Sequence, residues 1–457
     1  MNLKDKIVPA SLLAGIEKFW EYSGKKILAI ENEYDPKQGA PVFTVNGVYT
    51  TKGWTEWTQG FQYGSAVLQF DITGDVTFLE IAKKNTIDKM ASHVSHIGVH
   101  DHGFNNISTY GNLLRLMKEG KINYNEWEKH FYEMALKVSA AVQASRWTKI
   151  KAGGFIHSFN GPHSLFVDTI RSIRILMLGH ALGHHLMGEN DQKISLLRRA
   201  IEHAIATAQY CVFYGEGRDI YDIRGRTAHE CIFNVNDGNY RCPNSQQGYT
   251  GFTTWTRGLS WAMLGYTEEL EFLAKLTDDE LNSFGGRKTI EEVFLKAARA
   301  TCDFYIQHST LDGIPFWDTG APELYKLEDC YNEFSDPYNN VEPVDSSAAC
   351  IGAQALLRLG NYLKLNGNAS YVKYEEAGWQ IVNTLLKEPY LSESDAHQGL
   401  ILHSIYHHPN GWDHIPDGSK IPNRESSMWG DYHARELMLY AYRLLKDEPY
   451  YTFFKCL

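Results

Sequence analysis

Apolar residues recur at three- and four-residue spacing through most of this chain, in stretches that argue for a mainly helical protein. The stretches are 59–70, 165–187, 195–211, 254–274, 289–307, 347–365, 371–387 and 432–446. Three joints share one form. An apolar helix stops at a glycine, an acidic or amide residue follows, and the next helix carries a small residue on its inner face. The joints are Thr73-Gly74-Asp75 leading to Ala82, Gly188-Glu189-Asn190 leading to Ala200, and Gly367-Asn368 leading to Ala377. Glycine there supplies the left-handed residue that ends a helix. Recurrent helical hairpins bury their apolar faces by stacking, in an open solenoid or a closed ring. An open solenoid shows a regular period and polar end caps, which this chain lacks. The expected fold class is therefore all-α, an (α/α)6 barrel or toroid of about six hairpins.

Between the helices run longer aromatic segments, at 30–58, 86–111, 147–164, 212–253, 308–346 and 388–431. Loops beyond about 12–15 residues are uncommon without a function. Gathered at one end of a toroid, these would build a cleft. No Pro- or Ser-rich linker divides the chain, so the reading is one catalytic domain over 1–457, with 1–50 as an N-terminal helix and irregular lead-in.

Bulk properties exclude more than they select. With 44 Lys+Arg against 55 Asp+Glu, the net charge of -11 favours neither nucleic acid nor an anionic membrane as partner. No segment has the apolar length of a membrane span. The opening Met1-Asn2-Leu3-Lys4-Asp5-Lys6 lacks a signal-peptide core, and both a cytoplasmic and a periplasmic home stay open. The 7 cysteines are scattered without a Cys-x-x-Cys pair, which favours free thiols over a disulfide framework. Oligomeric state is not legible.

Two carboxylates stand out, Asp101 in His100-Asp101-His102-Gly103-Phe104 and Asp168 in Leu165-Phe166-Val167-Asp168-Thr169. An aspartate in apolar surroundings is costly to ionise, and a second one nearby raises its pKa further, which is how carboxylates become general acids. Tryptophans interleaved with polar residues surround them in sequence, at Trp54, Trp57, Trp255, Trp261, Trp317 and Trp429. The combination points to a sugar cleft with acid/base chemistry at its bottom. In Trp255-Thr256-Arg257-Gly258-Leu259-Ser260-Trp261, Arg257 and Trp261 share a helix face. A guanidinium beside an indole suits an anionic sugar. An arginine paired with a helix carboxylate and a tryptophan in the core explain the spacing somewhat more simply.

Several motifs, in order along the chain, resemble glycoside hydrolase family 88, the unsaturated glucuronyl hydrolases. They are Trp57-Thr58-Gln59-Gly60-Phe61, His100-Asp101-His102-Gly103-Phe104, Val167-Asp168, Trp255-x-Arg257-Gly258-x-x-Trp261, Trp317-Asp318, Asp345-Ser346-Ser347-Ala348-Ala349 and Trp429-Gly430-Asp431-Tyr432. Each is weak alone, and together they are specific. The unsaturated rhamnogalacturonyl hydrolases, which share the toroid and the aspartate pair, are close relatives. The chain departs from the family pattern at Gln246-Gln247, at Thr250-Gly251-Phe252-Thr253, and at Phe159 near a family tryptophan. These departures concern the subsite for the rest of the substrate.

The resemblance implies a hydrolase that removes a terminal 4,5-unsaturated uronic acid from lyase-generated oligosaccharides, without cofactor or metal. Asp168 is the implied acid/base and Asp101 its partner, orienting it and holding its pKa high. Substrate contact is implied for Trp57, Phe61, His100, His229, Gln247, Arg257, Trp261, Trp317, Ser426 and Ser427. Asp345 and Asp431 read as caps or core networks. Arg171, three residues after Asp168, would weaken the acid role if the two paired. His180, His184 and His185 have the i, i+4 spacing of metal ligands but lack a third ligand, and His407-His408 reads as loop polarity. The competing readings are a glycosidase acting on saturated uronic acid termini and a sugar-binding or epimerase-like toroid.

Overall fold

The computed structural model describes residues 1, 3, 6–52, 57–449 and 452, so Trp54 lies outside the described residues. Twelve long helical segments alternate between an inner and an outer ring. The inner ring is α2 (Gln59–Thr73), α4 (102–118), α6 (169–181), α8 (Thr256–Leu273), α10 (Ser346–Leu365) and α12 (Met428–Leu445). The outer ring is α1 (Leu13–Glu33), α3 (Val76–Lys89), α5 (Glu126–Ser145), α7 (Leu196–Tyr210), α9 (Arg287–Gln307) and α11 (Tyr371–Leu385). Each inner helix packs on the next, and α12 closes on α2. The architecture is the expected all-α (α/α)6 toroid. No helix among the described residues is long and apolar enough to cross a membrane.

The two rings bury different amounts of surface. Every residue of α8 is buried, as expected of a helix enclosed on all sides. Outer helices bury one stripe, as α7 does with Leu196, Leu197, Ala200, Ile201 and Ala204. Small inner-face residues, Ala82, Ala200 and Ala377, are fully buried where an outer helix meets the inner ring. Gly74 and Gly367 end α2 and α10 with φ of 68° each, in the left-handed region.

Three sequence expectations need correction. The stretch 165–187 does not start as helix. Ser164–Phe166 is a strand paired antiparallel to Glu230–Phe233, and the helix begins only at Thr169. A short apolar run reads alike in either state, and the partner strand decides it. Gly188 ends no helix, since α6 stops at Ala181 and Gly188 lies in a small hairpin with φ of -90°. The segment 86–111, expected to be irregular, contains the end of α3 and the start of α4. In α4 buried polar residues (His102, Asn105, Asn106, Ser108, Thr109, Asn112) interrupt the apolar ones (Phe104, Ile107, Leu113, Leu114), so no clean apolar stripe marks its start.

Candidate active site

The cleft lies at the N-terminal ends of the inner helices. Asp101 occupies the N-cap position of α4 and Asp168 that of α6, yet neither side chain caps its helix. Both are free to face a third group. Glycine sets how close they come. A Cβ on Gly103 would fall 2.0 Å from the Ser172 carbonyl oxygen, so only glycine lets the starts of α4 and α6 approach this closely. Ser172 Oγ donates to the His100 carbonyl at 2.5 Å and ties the two ends together.

His100 Nε2 then sits between the carboxylates, 3.4 Å from Asp168 Oδ1 and 3.6 Å from Asp101 Oδ1. Neither aspartate has a lysine or arginine within ion-pair distance among the described residues. Arg171 points away, into Glu268 and Glu436, which removes the concern that it neutralises Asp168.

A short sheet brings in the opposite wall. Val167 N donates to the His229 carbonyl at 2.9 Å, so Asp168 and His229 leave the paired strands side by side. A third strand, Tyr240–Asn244, leads on to Gln246 and Gln247. Their backbone N–H groups both donate to His229 Nδ1, at 3.0 and 3.1 Å. Nδ1 therefore carries the lone pair, and in the neutral ring Nε2 carries the proton. Burial holds the His229 pKa at about 4, so the ring is neutral. Nε2 is buried without a partner, a donor available to substrate. The ring is wedged between Phe166 and Trp255, at 4.4 and 4.6 Å between centroids.

Gln247 is oriented in the same way. Its Oε1 accepts from Arg257 at 2.9 Å, which leaves its amide nitrogen as a donor. Arg257 lies between the Trp255 and Trp429 rings and pairs with Asp345 at 3.2 Å. Its charge is thus already balanced, and its Nε is the part left without a partner. Asp345 also caps α10 by accepting from Ser347 N.

Two connected spaces result. An inner recess of about 50 Å³ is lined by Trp57, His100, Asp101, Phe104, Phe159, Asp168, Gln247, Trp255, Arg257 and Trp261. Above it opens a cavity of about 340 Å³ walled by Lys52, Trp57, Val99, Asp101, Phe159, Gln246, Gln247, Tyr406, His407 and Trp412. Five of the six long irregular segments read from the sequence contribute to that wall. A larger polar hollow of about 550 Å³ lies elsewhere, between α1, α2 and α3, away from the carboxylates.

The electrostatics differ from the sequence expectation. Burial pushes Asp101 up and the nearby Asp168 charge adds to it, against the pull of His100. Burial acts on Asp168 too, but the hydrogen bond and charge of His100, with His229, outweigh it and hold Asp168 low. Asp101 and Asp168 together raise His100 against its own burial. Like charge was expected to keep the proton on Asp168. Instead His100, unforeseen as a bridge, gathers it. Asp101, Asp168 and His100 also offer three ligand atoms within 4.8 Å of one another, the sole such set found among the described residues.

Of the implied contact residues, Trp57, His100, Gln247, Arg257 and Trp261 line the recess, and His229 stands behind Asp168. The structure places four others outside the cavity walls. Phe61 is fully buried under Trp57, packed on Phe104 and Tyr432. Trp317 is buried, with Nε1 donating to Glu342 at 2.8 Å. Ser427 caps α12 by accepting from Gly430 N, and Ser426 Oγ donates to Asp431 at 2.7 Å. Both serines are consumed by helix-end geometry. His407, read as loop polarity, is part of the cavity wall, and Lys52, Tyr406 and Trp412 were missed altogether. Their loops have no periodicity to mark them. Trp412 beside Asp413 was the only available sign.

Comparison with known proteins agrees with this geometry. Residues 37–301 match the sequence profile of Glycosyl Hydrolase Family 88. The unsaturated glucuronyl hydrolase of Formosa agariphila is 24% identical over 388 residues, covering 84% of this chain and 79% of that protein. The unsaturated glucuronyl hydrolase of Bacillus sp. strain GL1 is 23% identical over 398 residues, covering 84% and 86%. The crystal structure of an unsaturated glucuronyl hydrolase specific for heparin superposes with a TM-score of 0.72 at 19% identity, over 95% of this chain and 98% of that one. The chain belongs to glycosyl hydrolase family 88 and is a glycoside hydrolase.

Proposed function

We propose that this enzyme removes a terminal 4,5-unsaturated uronic acid from lyase-generated oligosaccharides by hydrating the C4=C5 enol ether, with Asp168 as acid and base. The observation that carries the reading is the pair Asp101 and Asp168. They share one imidazole at the bottom of an aromatic recess, and no lysine or arginine stands within ion-pair distance of either among the described residues.

The chemistry follows from that arrangement. The uronate carboxylate of the substrate brings a further negative charge beside Asp168 and raises its pKa. A proton then passes from His100 along the hydrogen bond to Asp168. Asp168 delivers it to C4, and the C4=C5 electron pair leaves an oxocarbenium ion at C5. The carboxylate so formed takes a proton from water as its oxygen bonds to C5. The resulting hemiketal opens to a ketone at C5, and the hemiacetal at C1 collapses to an aldehyde and releases the aglycone. One water is consumed, and the proton that Asp168 takes from it passes back to His100 as the product carboxylate leaves, which restores the resting state. The neutral donor His229 Nε2 and the Gln247 amide are placed to hold substrate oxygens. The positive ends of the inner-helix dipoles face the cleft and favour an anionic sugar on an otherwise acidic protein.

Of the saturated-uronate glycosidases, the spacing disfavours an inverting one. An inverting enzyme needs about 6.5–9.5 Å between its carboxyl groups to admit water. Here a carboxylate oxygen of Asp101 and one of Asp168 lie within 4.8 Å.

The test is a panel of lyase-digested uronic polysaccharides followed by the ultraviolet absorbance of the C4=C5 bond. Absorbance is expected to fall with the wild type and to persist with Asp168→Asn. Persistence with the wild type across the panel would defeat the reading.

A further inference from the structure

The polar hollow of about 550 Å³ between α1, α2 and α3 serves no step of the reaction. Against it lies a neck of about 10 Å³, which admits about one oxygen-sized group. Hollow and neck share Ile30, Glu31, Gln62 and Tyr63 on their walls, so one leads into the other. Arg435 of the inner helix α12 also lines the neck.

Arg435 is 1% exposed, and a guanidinium keeps its charge at any physiological pH. Its partners are neutral. Nε donates to Ser23 Oγ at 2.8 Å and Nη1 to Ser65 Oγ at 3.1 Å. Nη2 has no hydrogen-bond partner. The charge of Asp431 acts on Arg435 without an ion pair between them. That carboxylate is already spent on Tyr49 Oη, Ser426 Oγ and the backbone N–H groups of Leu400 and Ile401. Arg115, Arg171, Arg174 and Arg358, equally buried, each meet a carboxylate directly. A buried cation without a counter-ion is costly, and an anion reaching through the neck would complete it.

We propose that hollow and neck form a second, non-catalytic binding site for a small sugar acid. One oxygen of the ligand carboxylate enters the neck and meets Arg435, and the hydroxyl-bearing body fills the hollow. The wall of the hollow carries two lysines, Lys84 and Lys89, and two carboxylates, Glu31 and Asp88. Their charges balance, so the body that fits is neutral and rich in hydroxyl groups, which donate to carboxylates and accept from lysines. Glu31 is held in place by the Asn85 amide at 3.2 Å, and Lys89 Nζ lies 5.4 Å from the centroid of the Tyr63 ring. An inorganic anion would leave most of the 550 Å³ unfilled, and a ligand ammonium would be repelled by Lys84 and Lys89. The site is separate from the catalytic cleft, and the proposal is independent of the hydration reading.

The test is titration calorimetry on the full chain with glucuronate, glucose and inorganic phosphate. The proteins are the wild type, Arg435→Met, Lys89→Met and His229→Ala. Arg435→Met should lower glucuronate affinity about tenfold or more, the scale of one charge-assisted hydrogen bond, with kcat and KM on the enzyme's substrate unchanged. Lys89→Met, on the outer ring, should lower it about twofold to threefold, and it decides by the same readout where Arg435→Met fails to fold. His229→Ala removes a donor from the cleft and should leave this binding intact. Glucose, lacking the carboxylate, should bind at least about tenfold more weakly than glucuronate. Glucuronate affinity that is equal in the wild type and Arg435→Met, or that is lost with His229→Ala, would overturn the site. Phosphate binding as tightly as glucuronate would overturn its assignment to a sugar acid.

Discussion

In the lower half of the barrel Glu268, Glu436 and Asp71 face arginines, whereas at the mouth Asp101 and Asp168 face each other across a histidine. Glu268 bonds Arg171 and Arg174, Glu436 bonds Arg171, and Asp71 bonds Arg115, Lys121 and Arg443. Glu268, Glu436, Asp71 and Asp168 are buried and Asp101 nearly so, so both regions carry a cost of taking charge out of water. The lower set offsets that cost pair by pair, and its carboxyls are held low. The mouth leaves the cost partly uncompensated, and a proton is retained there. Burial alone therefore does not make an acid catalyst. Burial without a fixed cation does.

The contrast is broken most directly by exchanging a carboxyl for an amide in each region. Asp168→Asn should lower turnover by about ten-thousandfold while leaving the melting temperature at or above that of the wild type. Measured kcat and thermal denaturation check both halves. Glu268→Gln should do the reverse. It removes the carboxylate that Arg171 and Arg174 share, costing about 3–5 kcal/mol of stability, while the folded fraction keeps its kcat. Denaturant unfolding beside activity would show it.

The pH response should separate the regions as well. Burial would raise Asp71, but Arg115, Arg443 and Lys121 bring its pKa down to about 2, from the ordinary 3.8. A depressed folded pKa stabilises above the ordinary value and loses that stability as pH falls. Asp71 should therefore contribute about 2 kcal/mol that disappears between about pH 4 and pH 2, and Asp71→Asn should lack this acid limb.

The smallest effect concerns an exception. Glu269, beside Glu268 on α8, is buried with neither carboxylate oxygen bonded, and burial with the Glu268 charge raises its pKa well above normal. A raised carboxyl pKa costs stability at every pH above the unfolded value. Glu269→Met should gain about 1 kcal/mol near neutrality. A loss would mean that Glu269 has a polar role outside this comparison.

The two regions were not equally legible in the sequence. The apolar spacing of α7, α9 and α11 gave the hairpins, because outer helices have one wet face and one dry. The inner helix α4 was hidden, because buried polar residues such as His102, Asn105, Asn106 and Thr109 break up its apolar spacing. Asp101 and Asp168 were conspicuous as charges among aromatics. His100 was visible beside Asp101, but its bridging position depends on Gly103 letting two helix ends meet. Ser426, Ser427 and Trp317 sit next to telling motifs and are turned to caps and supports. Lys52 comes from a loop near the start of the chain and His407 and Trp412 from one near its end, and only the closed ring brings them together.

The central claim is tested most directly by timing a single turnover, following ultraviolet absorbance and aglycone release in the same quenched samples. Hydration at C5 requires the absorbance to fall before, or together with, the appearance of aglycone. Aglycone released while the absorbance still stands would place the attack at the anomeric carbon and contradict the role given to Asp168.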